Sequence, residues 1–134
     1  ILNLHLTTLV GERNQNAWND VVDAARLTRA QQIARVLSLI ERHILFRNEP
    51  VILMGDFNAT PEEYTIKEML IEEKGFTRLV PENDISTHES AGAVDHIFVY
   101  PKSKIKSYTC KVVDTNLARQ VSDHLPVVAD IEFD

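Results

Sequence analysis

The stretch Pro50-Val-Ile-Leu-Met-Gly-Asp-Phe-Asn-Ala-Thr-Pro-Glu-Glu63 decides the architecture of this 134-residue chain. Val51 to Met54 form an apolar run that continues into Gly55 and then breaks into Asp56 and Asn58. Thr60, Pro61 and Glu63 follow as an N-cap, a first-turn proline and a capping-box acid, which predicts a helix start. The order is strand, polar tip, helix. A strand apolar on both faces belongs in the middle of a sheet covered on both sides, and its C-terminal end is where such sheets place chemistry. An acid and an amide two residues apart at that tip point the same way. They suit a cation, a phosphate or a water; the plainer alternative is that they only shape the turn.

Composition narrows the classes. At 134 residues and 44% apolar content, the chain is one domain's worth of material, residues 1–134 without an internal linker. Its apolar runs are too short for a membrane span. Fourteen basic residues against twenty acidic ones give a net charge of −6. With Arg and Lys only scattered, long duplex nucleic acid is disfavoured, while a metal-bridged phosphate substrate remains allowed. A lone Cys110 leaves no internal disulfide and favours a cytoplasmic setting; its expected role is to fill a strand.

Upstream of the central stretch, Leu2, Leu4 and Leu6 alternate with Ile1, Asn3 and His5, which predicts a strand with Asn3 and His5 on one face. That strand is already in mid-course at Ile1, so a fragment or a processed product is expected. Residues 9–24 read as a long surface loop containing Trp18. Residues 24–47 read as a helix, its inward stripe Ala30, Ile33, Ala34, Leu37, Ile40 and Ile44, with Arg26, Arg29, Gln32 and Arg35 off the stripe and solvated. Downstream, a helix is predicted over residues 61–74, with Ile66, Met69 and Leu70 inward and Gly75 as its stop. A short strand or turn at 76–80 and a loop at 81–93 come next. Strands follow at 94–100, 105–114 and 126–133, with a polar loop at 115–120. The class is α/β: a mixed sheet of five strands with helices on one face and nothing in this chain to cover the other.

Polar residues interrupt these apolar strands at four places: His5, Asp56 with Asn58, Asp95 with His96, and Asp123 with His124. Burying an unpaired carboxylate is costly, so one such case could be a satisfied core contact. Four of them are most economically explained by convergence on one site. The chemistry that fits is metal-assisted phosphoryl hydrolysis. A hard divalent cation such as Mg2+, or Mn2+ in its place, takes carboxylate oxygens and polarises the phosphate. An Asp near the attacking water accepts its proton, while an amide and an imidazole oriented by a second Asp donate to phosphate oxygens. Zinc fits less well, because the histidines lack a zinc spacing and the cysteine is alone.

Four segments, Asn3-Leu-His-Leu6, Gly55-Asp-Phe-Asn-Ala59, Val94-Asp-His-Ile-Phe-Val99 and Ser122-Asp-His-Leu-Pro-Val127, resemble the successive signatures of the endonuclease/exonuclease/phosphatase superfamily, the type I deoxyribonuclease-like enzymes. Arg29-Ala-Gln-Gln32 resembles the family's helix between the first two. The resemblance implies a four-layer αββα sandwich, of which this chain would be the C-terminal half. It implies that Asp56 orients or deprotonates the attacking water, that Asn58 and His5 bind the phosphate, and that His124, held by Asp95, donates to it. Asp123, with Asp56, would sit at the metal, and Asn3 would support the His5 strand. His96 is expected to be structural, and His88 to do turn or hydrogen-bonding work. The family's N-terminal half carries an asparagine and a metal-binding glutamate; none of Glu12, Glu41, Glu49, Glu62 or Glu63 fits the glutamate's place. The expected partners are therefore a phosphorylated substrate and either the missing N-terminal half or a self-associating copy. The competing expectation is a non-catalytic binding or assembly module with an incomplete site.

Overall fold

The computed structural model describes residues 1–8, 12, 19–43, 49–83 and 85–134. Its centre is β2 (Val51–Asp56), which pairs in parallel with β1 (Leu2–His5) and antiparallel with β4 (Asp95–Tyr100). The short β3 (Thr77–Arg78) closes the far edge, giving the order β1-β2-β4-β3. The period of two sorts the side chains cleanly. Leu2, Leu4, Val51, Leu53 and Phe98 face a core shared with helix α1 (Asn19–His43) and helix α2 (Thr65–Glu73), the latter wound as a π-helix. Ile52, Met54, Ile97 and Val99 face the other way.

That second face is covered only in part, by a hairpin packed on its β4 side, while Ile52 and Met54 on β2 stay half-buried; the sheet is therefore neither bare nor five-stranded as expected. β5 (Ile105–Val112) and β6 (Val127–Phe133) form a separate antiparallel hairpin rather than extending the sheet. Cys110 and the half-buried Ile105, Val127, Ala129, Ile131 and Phe133 pack across onto Leu79, Ile97 and Val99. The predicted loop at 115–120 is instead a short helix, α3 (Asn116–Val121), capped where the Thr115 hydroxyl accepts the Ala118 N–H at 3.1 Å. No described helix is long and apolar enough to cross a membrane.

Two local expectations fail for one reason. Arg29 was expected in solvent but is 1% exposed, and Glu63 was expected to close a capping box. Instead the Arg29 guanidinium reaches Glu63 at 2.8 and 2.9 Å and Glu12 at 2.6 and 3.0 Å, and also donates to the Thr7 carbonyl at 3.2 Å. Burial opposes the charge, but the hydrogen bonds to the two carboxylates outweigh it and raise the guanidinium's pKa. Helix α1 begins at Asn19, inside the expected loop, and Ala34 is exposed rather than inward. Trp18 and Ile44 lie outside the described residues.

Gly55 fixes how closely β1 can approach. Its φ is 133°, and a Cβ there would lie 1.9 Å from the Leu4 carbonyl oxygen. Gly55→Ala is therefore expected to destabilise the fold by about 3 kcal/mol, read as a lowered urea midpoint. Arg29→Ala, which strands two largely but not fully buried carboxylates, should lose about 3 kcal/mol in the same titration. An unchanged midpoint in either variant would contradict the corresponding assignment.

Candidate active site

The strand pairings level three side chains. Register sets His5 beside Asp56 on one flank and Asp95 opposite it on the other, at the end of β2 where the sequence placed its polar tip. Asp56 and Asp95 share the face of Met54 and Ile97, so they open toward the seam between the sheet and the hairpin. There a cleft of about 320 Å³ is lined by Asn3, Met54, Asp95, Ile97, His124 and Val127.

His124 reaches this rung from the other side, on the segment joining α3 to β6. Its Nδ1 lies 2.8 Å from Asp95 Oδ2, and its Nε2 lies 3.8 Å from Asp56 Oδ2. Partial burial alone would lower the imidazole's pKa. The hydrogen bond to Asp95 and the negative charges of Asp95, Asp56 and Asp123 outweigh it, and the net shift is upward. His5 stands 3.5 Å from Asp56 through Nε2, its side chain 76% exposed. Asn58, at φ 48°, donates its backbone N–H to Asp56 Oδ1 at 2.7 Å, and its side-chain amide donates to the Leu6 carbonyl at 2.7 Å and to Asp56 Oδ2 at 3.3 Å. Asparagine tolerates that left-handed backbone better than most residues. Asp56, Asn58, Asp95, His124 and His5 are thus brought together. Asp123 instead faces His88, its Oδ2 3.5 Å from His88 Nε2 and its side chain 81% exposed.

The model of the endonuclease/exonuclease/phosphatase family matches residues 2–124. The chain belongs to that family. No curated protein matches it significantly. Among solved structures, SmcL superposes with a TM-score of 0.64 at 20% identity, over 82% of this chain and 48% of that one. The human Nocturnin catalytic domain with bound sulfate anion gives 0.56 at 20% identity, over 98% and 46%. The Neisseria 3′ phosphatase NExo, bound to product DNA hairpin, gives 0.57 at 18% identity, over 98% and 60%. These likenesses show the fold, a mixed α/β sheet arrangement shared with family members. The chain spans about half the length of the solved structures it matches.

Enzymes of this family typically use divalent metals, and two groups of described residues bring ligand atoms within 4.8 Å of one another: Asp56, Asp95 and His124, and His88, Asp123 and His124. The hydrogen bonds sort them. His88 Nδ1 accepts the backbone N–H groups of Ser90 and Ala91, each at 3.1 Å, so its proton is on Nε2, 3.5 Å from Asp123 Oδ2. A ligating imidazole nitrogen must be bare, so His88 is a donor and does hydrogen-bonding work in its turn. Asp95 is engaged by His124. Asp56 is engaged too, both of its oxygens accepting from Asn58, and Asp56 and Asp123 fall in different groups that share only His124, each offering fewer than the roughly six oxygens a hard cation takes.

His96 faces away from the cleft, 2% exposed between Phe57 and Phe98. Arg78 Nε donates to its Nδ1 at 3.1 Å, and its Nε2–H donates to the Ala59 carbonyl at 2.8 Å, steadying the turn that carries Asn58. Burial pushes its pKa down from 6.5 to about 4. Above pH 6.5 both folded and unfolded forms are neutral. As pH falls from there toward 4, only the unfolded chain takes up the proton, so stability should drop by up to about 3 kcal/mol. Urea titrations across that range should show the loss, and His96→Gln should flatten it; an equally steep acid limb in the variant would assign the loss elsewhere.

Proposed function

We propose that this chain carries the phosphate-binding and acid–base half of the active site of a metal-dependent phosphoesterase, which hydrolyses a phosphomonoester or phosphodiester with an activated water. The observation that carries the reading is His124 held between two carboxylates, Asp95 at 2.8 Å on Nδ1 and Asp56 at 3.8 Å on Nε2. Asp95 fixes the ring and favours its protonated form, so Nε2 presents a proton to a phosphate oxygen. Asp56, one oxygen held by the Asn58 N–H, takes the proton of the attacking water. His5 and Asn58 border the phosphate across the rung. Mg2+, or Mn2+ in its place, would be held by Asp56 and Asp123 and would offset the charge that develops on the phosphate.

The bound sulfate in the Nocturnin domain and the phosphatase activity named for the Neisseria protein support phosphate chemistry on this fold. The remaining cation ligands come, in this proposal, from a segment equivalent to the half of those structures that this chain does not span, or from a second copy. The net charge of −6 disfavours long duplex nucleic acid as substrate.

Hydrolysis of phosphomonoester and phosphodiester substrates by the intact protein should require Mg2+, cease with EDTA and return when the ion is restored. His124→Ala and Asp56→Ala should each lower the rate about 10³-fold. Hydrolysis indifferent to both substitutions, or absent under every metal tested, would replace this reading with that of a binding module.

A further inference from the structure

Thr87 lies in the loop before β4, 1% exposed, and both peptide units that carry the Asp95–His124 pair are fastened to it. Its Oγ1 accepts the N–H of Asp95 and the N–H of Val94, each at 3.1 Å. Its own hydroxyl proton points to the Gly92 carbonyl at 3.4 Å. On the other side, the Thr87 carbonyl accepts the N–H of Leu125, the peptide that follows His124, at 2.8 Å. The peptide joining Val94 to Asp95 is thereby held at both ends: its N–H by Thr87, and its carbonyl by the Phe57 N–H at 2.9 Å, from the tip that bears Asp56. A backbone bridge between His88 and His124 continues the clasp.

We propose that Thr87 is a positioning residue for the reaction, setting the distance between Asp95 and His124. The pair comes from two different elements, β4 and the segment joining α3 to β6, and a hydrogen bond between such elements holds its length only if both backbones refer to a common point. Thr87 is that point. A hydroxyl is needed there because one oxygen must accept from two adjacent N–H groups while its proton goes elsewhere, which neither an apolar nor an acidic side chain does. β-Branching restricts the rotamers open to the hydroxyl.

The proposal rests on the phosphoesterase reading for its kinetic arm alone, and a spectroscopic arm tests it separately. In the folded protein, the His124 Nδ1–H bonded to Asp95 should give a slowly exchanging downfield imidazole resonance. Thr87→Val, which keeps the shape and the carbonyl but removes the oxygen, should lose that resonance; Thr87→Ser should retain it. In hydrolysis assays Thr87→Val should lower kcat by about 10- to 100-fold with KM nearly unchanged, and Thr87→Ser should recover most of it. Should Thr87→Val not fold, Thr87→Cys takes its place, its sulfur being a weak acceptor of similar size, with the same losses expected in smaller measure. A folded Val or Cys variant that keeps both the resonance and kcat would overturn the proposal, as would a Ser variant that restores neither. If the unaltered protein hydrolyses nothing, the phosphoesterase reading fails while the resonance still decides the role of Thr87.

Discussion

Leu4 and Gly55 leave so little room between their backbones that any side chain on Gly55 would strike the Leu4 carbonyl. Much follows from that contact. It lets β1 run close beside β2, and the parallel register then carries His5 level with Asp56. Antiparallel pairing with β4 brings Asp95 to the same level from the opposite side. Backbone pairing therefore sets the level of three polar side chains before any of them touches another. A one-residue slip would turn these groups to the helix face and bury them against Leu53 and Phe98.

The ends of these strands are held differently on the two sides. On the helix side Arg29 grips Glu12, Glu63 and the Thr7 carbonyl, so the segments leaving β1 and β2 are tied to one buried charge on α1. His96 adds a neutral tie at Ala59. On the seam side the ties are backbone to hydroxyl and backbone to backbone, around Thr87. Ionic ties far from water and short polar ties near the cleft divide the work sensibly. A guanidinium in the cleft would compete with His124 for the carboxylates, whereas a hydroxyl leaves them to the imidazole.

The parts legible in the sequence were those that depend on a repeated pattern. Alternation fixed β1, the unbroken apolar run Val51 to Met54 fixed β2, the step of three and four fixed Ile33, Leu37 and Ile40 inside α1, and the break from Met54 to Asp56 located the polar tip. Arg29 was not legible, because the partners that justify its burial lie 17 and 34 residues away and a helical stripe predicts an arginine off-axis to be wet. Glu63 was misread for the same reason, since the local capping rule competes with a distant cation that the sequence does not show. The separation of β5 and β6 from the sheet was hidden because alternation is the same whichever sheet a strand joins. Thr87 went unnoticed beside His88, a single hydroxyl whose importance comes from what folds against it.

Asp95 belongs to the four-stranded sheet and His124 to the lead-in of the hairpin, so their 2.8 Å bond bridges the two layers. Cys110, Leu79 and Val99, with Ala129 and Ile131 against them, fill the gap between the layers away from the cleft lining. In mechanical terms they are shims. Close-packed interiors transmit a change of even one methylene rather than absorbing it. The thickness of that apolar filling thus gauges the opening of the jaws at their polar end, and substitutions among these residues, though remote from the cleft, are felt there as alignment.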